Sequence, residues 1–157
     1  MATLKVTISE QLIIDNQDYG SENILEISGI NEIVKRIVKL TTTESGLIGF
    51  LSALSSVGVT ANKVGYMAGM FDDGDVRYMR ITNLDSSNAV ELAVVGAATL
   101  YQVNLAAGQS HILGSADGLM LSEADTRPSF GTMADLGSIQ VNPGGNAVDV
   151  ELFIASA

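Results

Sequence analysis

This sequence predicts an all-β fold, a single-domain β-sandwich of jelly-roll type with about eight antiparallel strands. Three observations carry that expectation. Short runs in which every second residue is apolar recur from residue 4 to residue 154, as in strands with one buried face. Clusters of Gly, Asn, Asp, Ser and Pro separate those runs, at the spacing of a sandwich or barrel. The 157 residues, 46% of them hydrophobic, suffice for one core and hold no internal repeat, so neither a solenoid nor a propeller is expected. The whole chain, 1–157, is read as one domain with irregular loops near 58–75 and 114–135.

The elements follow in order. Leu4, Val6 and Ile8 alternate with Lys5, Thr7 and Ser9 as a first strand, buried on one face. Residues 15–20 are a turn cluster and 23–28 its return strand. Residues 30–38 fit two templates. Ile30, Ile33, Val34, Ile37 and Val38 match a helical stripe, with Ser28 as N-cap. Every apolar residue there is β-branched, however, which favours a strand. Residues 45–57 carry no clear period, and 58–75 read as a long connection. Strands resume at 76–83, followed by a hairpin turn at 85–88 and a partner strand with Val90, Leu92 and Val94 inward. Tyr101, Val103 and Leu105 make the next inward face, and residues 106–109 turn into 111–113. After a loop-like 114–135, Ile139 and Val141 open a last hairpin through 142–146. Val148, Val150, Leu152 and Ile154 close it, with Asp149 and Glu151 facing water.

Charge narrows the function classes. The chain carries 18 acidic and 8 basic side chains, a formal net charge of −10, and no cysteine. Such a chain does not bind nucleic acid through its own field and avoids anionic membrane surfaces. Without cysteine there is no thiol chemistry, thiolate metal site or iron–sulfur cluster. The second half holds most of the field: residues 81–157 have eight acids against Arg127. The longest apolar stretch, 89–101, is interrupted by Glu91, Gly96 and Thr99 and is too short to span a bilayer. The first residues lead straight into alternation, without the apolar core of a targeting segment.

No constellation names a reaction. His111 is the lone histidine, and Ser110 beside it points to the opposite face of a strand, so the pair is not a hydrolase site. Asp72, Asp73 and Asp75 invite a Ca²⁺ loop, but an EF-hand frame on Gly74 puts Gly69 and Arg80 at the first and twelfth positions, where acids are required. They read better as a turn before a strand. Asp149 with Glu151, or Asp117 with Glu123, are carboxylate pairs that nothing raises above a solvated face. Gly144-Gly145 stands outside any phosphate-binding motif. Met67, Met70 and Met79 read as packing. No catalytic residue, cofactor or metal is expected.

Two segments are distinctive: 75–85, DVRYMRITNLD, continued by NAVEL at 88–92, and 103–114, VNLAAGQSHILG. With the opening VTISEQLIIDN at 6–16, SENILEI at 21–27 and NEIVKRIV at 31–38, they resemble small β-rich virion structural proteins of marine and cyanobacterial tailed bacteriophages. The likeness runs in order over most of residues 3–114. It implies a non-enzymatic structural role, most readily a decoration (cement) protein that binds the outer head surface and stabilises the lattice. The alternative within the virion is a tail, fibre-base or host-adhesion component with a carbohydrate-binding sandwich. The resemblance further implies partners among the major capsid protein or other virion proteins, a homo-oligomer (trimer or dimer), and synthesis in the host cytoplasm. An acidic sandwich suits the outside of a head, away from packaged DNA.

Overall fold

The computed structural model describes residues 1–51, 71–96, 100–119 and 131–157. Among them the chain is all β, with thirteen strands and no helix. Four belong to an N-terminal arm: β1 (Ala2–Glu10), β2 (Ile13–Ile14), β3 (Gln17–Asp18) and β4 (Ser21–Ile30). The sandwich follows as β5 (Glu32–Leu40), β6 (Ser45–Leu51), β7 (Phe71–Asp72), β8 (Val76–Asn83) and β9 (Val90–Gly96). It is completed by β10 (Leu100–Leu105), β11 (Ser110–Leu113), β12 (Leu136–Asn142) and β13 (Val148–Ser156).

Two sheets form the sandwich, one ordered β11-β8-β13-β5 and the other β10-β9-β12-β6-β7. Leaving β7 aside, the pairing is nested. The first sandwich strand pairs the last (β5·β13), then β6·β12, β8·β11 and β9·β10, all antiparallel. The inward residues of both sheets merge into one apolar core. Met79, Ile81, Val150, Leu152 and Ile154 of the first sheet face Val90, Leu92, Val94 and Ile139 of the second, all at most 1% exposed. Period-two alternation is what makes this possible, since it puts every inward residue of a strand on one plane. Residues 32–40 form a strand, as their β-branched composition favours. Val34 and Val38 pack against the core, while Ile33 and Ile37 point out.

Three details depart from the sequence reading. The turns at 85–88 and 142–146 are not hairpins, because β8 and β13 lie in one sheet while β9 and β12 lie in the other. These turns, with 106–109, are arches that carry the chain across the core. Residues 71–72, expected within a long loop, form β7 and pair with β6 in parallel, so the sheet is not wholly antiparallel. Residues 58–70 of that loop lie outside the described residues, as do 120–130 of the second loop. Finally, β6 is irregular: Ile48 pairs Ile139 and Gly46 pairs Gln140, leaving Leu47 as an extra residue. A bulge frees a backbone carbonyl. Here the inward-facing Arg36 of β5 donates to Leu47 O across the sandwich.

Two arches are fastened by one side chain. Asn83, at the end of β8, is fully buried. Its Nδ2 donates to the carbonyls of Asn88 (2.8 Å), Leu105 (3.0 Å) and Ala106 (3.2 Å), and its Oδ1 accepts the Asp85 N–H at 3.0 Å. Its own N–H donates to Gln109 O (2.9 Å), and its carbonyl accepts from Gly108 N–H (3.1 Å), where φ is +75°. A residue with a side chain adopts that φ with difficulty, so Gly108 suits the position. The β8–β9 and β10–β11 arches therefore hang on one amide.

Replacing Asn83 by Asp keeps the shape but turns the donor towards three carbonyl oxygens into an acceptor. Buried unsatisfied groups cost about 1–3 kcal/mol each. Asn83→Asp is expected to lose at least about 3 kcal/mol in urea unfolding at neutral pH. Acid returns part of the loss, because a protonated carboxyl can donate.

Candidate functional site

The arm is the feature that the sandwich does not explain. Asp15 and Asn16 at its end have φ of 50° and 66°, the two positive values of a two-residue type I′ hairpin turn. Leu4 faces Ile27, Val6 faces Leu25 and Ile8 faces Asn23 across β1·β4, so one arm face is mostly apolar. The base of that face is seated. Leu4, Val6 and Ile27 pack against Tyr78, Phe153 and Ala155 on the outer face of the first sheet, beside Ile30. Asn31 N–H donates to Ser156 O at 2.9 Å, fixing the junction. Towards the end the seat stops. Ile8 and Leu25, then Leu12, Ile13, Ile14 and Tyr19, are 47–62% exposed. The first strand is therefore half-buried at Leu4 and Val6 and exposed elsewhere, where a buried face was expected.

A groove of about 450 Å³ opens between the arm and the sheet. β1 from Leu4 to Ser9 forms one wall, and Tyr78, Arg80, Ile112 and Phe153 form the other. Nearby, on the same outer face, three strands carry a cross-strand charge ladder. Glu151 meets Lys35 at 3.2 Å and also pairs Arg80, whose guanidinium lies 5.9 Å from the Phe153 ring centre. Burial raises the Glu151 carboxyl, but its bonds to Lys35 and Arg80 outweigh this and hold it below its ordinary 4.5. Glu151 thus does not face water as expected, whereas Asp149 does.

The other sequence candidates are not brought together into a site. His111 turns inward and its ring nitrogen lies 3.0 Å from Tyr101 Oη on the opposite sheet, while Ser110 points out to Thr82 at 2.8 Å. Burial lowers the His111 pKa and raises that of Tyr101, so at neutral pH the pair is an uncharged clasp between the sheets. Met79 is core, and Gly144 and Gly145 sit in a loop at positive φ. Met67, Met70 and Glu123 lie outside the described residues.

Asp73 behaves differently from its neighbours, at 7% exposure against an exposed Asp75. Burial first, then the Asp135 carboxylate, raise its pKa; the Gly74 N–H opposes them, and Asp72 and Asp117 add to the rise. The convergence of Asp117 and Asp135 on Asp73 has no signal in sequence spacing. Among the described residues no group of three or more His, Asp or Glu is arranged to hold a metal ion.

No family model, curated protein or solved structure matches this chain.

Two expectations follow from these geometries. A pKa raised by folding contributes stability only in acid, and that contribution is lost as pH rises through the folded value. Asp73→Asn should therefore raise the thermal midpoint by a few degrees at pH 7. The gain should vanish below the ordinary carboxyl value of 3.8, as scanning calorimetry across pH would record. At the bend of the arm, a Cβ on Gly20 would lie 2.0 Å from Glu10 O and 2.9 Å from Gln11 Cα. Gly20→Ala should strip hydrogen-exchange protection from the arm while changing global stability by less than about 0.5 kcal/mol.

Proposed function

We propose that this chain is a non-enzymatic structural protein of a bacteriophage virion, a decoration protein that binds the outer head surface and stabilises the assembled lattice. One observation carries the reading: a hairpin arm of thirty residues whose distal half presents apolar side chains that nothing in the described residues covers. An isolated two-stranded hairpin is marginally stable in water. Keeping isoleucines exposed on one is sensible in a part that is completed by a neighbour.

Further features support the reading. The nested pairing of the sandwich strands is compatible with the jelly-roll type that the sequence suggests. The net charge of −10 suits a surface turned away from the genome. Stabilisation would work by mass action: a protein that binds only the assembled lattice shifts the equilibrium against disruption. The arm would seat on the major capsid protein or on adjacent copies of this chain, by apolar contact or by adding a strand to a sheet edge.

The test uses purified protein and expanded heads lacking it. Binding should saturate, and the temperature of head disruption should rise by several degrees. Gly20→Ala should bind at least about tenfold more weakly. Heads of unchanged stability, with the chain fractionating with tails, would sink the proposal.

A further inference from the structure

We infer that the distal arm of one copy docks on the outer face of β5 in a second copy. Of the fourteen large apolar side chains exposed among the described residues, ten lie within the first 37. They fall into two places, the arm and the outward face of β5. On that face Ile33 and Ile37 are 54% and 62% exposed, with Lys35 and Lys39 at the alternate outward positions. Among the described residues β5 pairs with β13 alone, so it is a sheet edge.

Charge favours this match over an arm-to-arm contact. Residues 2–30 carry Glu10, Asp15, Asp18, Glu22 and Glu26 against Lys5, a net of −4. Two such arms repel, whereas the outward positions of β5 itself carry two ammonium groups and no carboxylate, with Asp149 of β13 opposite Lys39. Lys35 already meets Glu151 yet stays 60% exposed, and an ammonium has three donors to distribute.

The arm does not serve its own β5. Its base sits over β8 and β13, and β1 forms the groove with Ile112 of β11, the strand at the opposite edge of that sheet. The contact is therefore between copies. Because it joins different patches, it closes as a reciprocal two-fold pair or a larger ring, or continues as a chain.

The absence of cysteine makes the test direct. Ile13→Cys and Ile37→Cys are prepared separately in the full chain, mixed, and oxidised. The expected product is a disulfide-linked dimer in the mixture that neither variant forms alone to a comparable extent. In sedimentation of the cysteine-free protein, Lys39→Glu should weaken self-association about tenfold and steepen its recovery with salt. A monomer at all concentrations, or crosslinking through Ile13→Cys alone, would overturn the inference. A monomer that still stabilises heads would overturn it while leaving the proposed function standing; a chain that self-associates but ignores heads would do the reverse.

Discussion

The sandwich depends on the Asn83 amide. In an antiparallel hairpin, neighbouring strands satisfy each other's backbone groups, so a turn needs little from elsewhere. An arch has no such help. The chain leaves one sheet and enters another roughly 10 Å away, and its turning carbonyls must find donors inside the protein. Asn83 supplies them for two arches at once, and its own backbone pairs with a third point of the same corner. Only an amide fits: one group donates to carbonyls and the other accepts an N–H. A few residues along, the neutral His111–Tyr101 contact spans the same pair of edge strands. That side of the sandwich is thus closed by polar groups buried without charge, which leaves the apolar core its full extent.

Much of this architecture was legible in residues. Val90, Leu92 and Val94, or Val148 to Ile154, alternate so regularly that their inward faces follow from period alone. Asp85 was legible as a turn former, and it caps the Ser87 and Asn88 N–H groups, which depress its carboxyl pKa. What residues 85–88 do not encode is the destination of the strand that follows. Asx geometry reverses the chain equally well within a sheet or across two, and the choice depends on partners of Asn83 such as Leu105 and Ala106, 22 and 23 residues further along. The same limit explains the arm. Leu4, Val6 and Ile8 are indistinguishable in pattern, yet Leu4 and Val6 are seated on Tyr78 and Phe153 while Ile8 overhangs a groove. Alternation declares which residues share a face; it does not declare what covers that face. The pairing of Glu151 is hidden from sequence for a related reason, since its partners Lys35 and Arg80 belong to strands far away in sequence.

The exposed apolar arm and β5, a sheet edge among the described residues, would invite indiscriminate pairing. The residues around them oppose it in part. Lysines on an edge strand and carboxylates flanking an apolar tip discourage indiscriminate pairing. Fixed register from the type I′ turn and from Gly20 narrows the arm further to one shape. The same charges that block random contacts make a single opposite-charged contact preferable, which is how specificity arises from repulsion as much as from attraction.

The energetics favour a device of this kind over a larger core. Among the described residues the main cluster contains none before Val34, and the apolar base of the arm packs on the small cluster at Tyr78. Covering an isoleucine side chain fully is worth about 1.5–3 kcal/mol, so the several exposed on the distal arm would contribute that stability in the docked state proposed above. The seated base keeps the arm ordered near the sheet, which lowers the entropy lost on docking relative to a free tail. The Asn31–Ser156 hydrogen bond ties the root of the arm to the end of β13. A flexible strand of the same composition would find more wrong partners and lose more freedom on finding the right one.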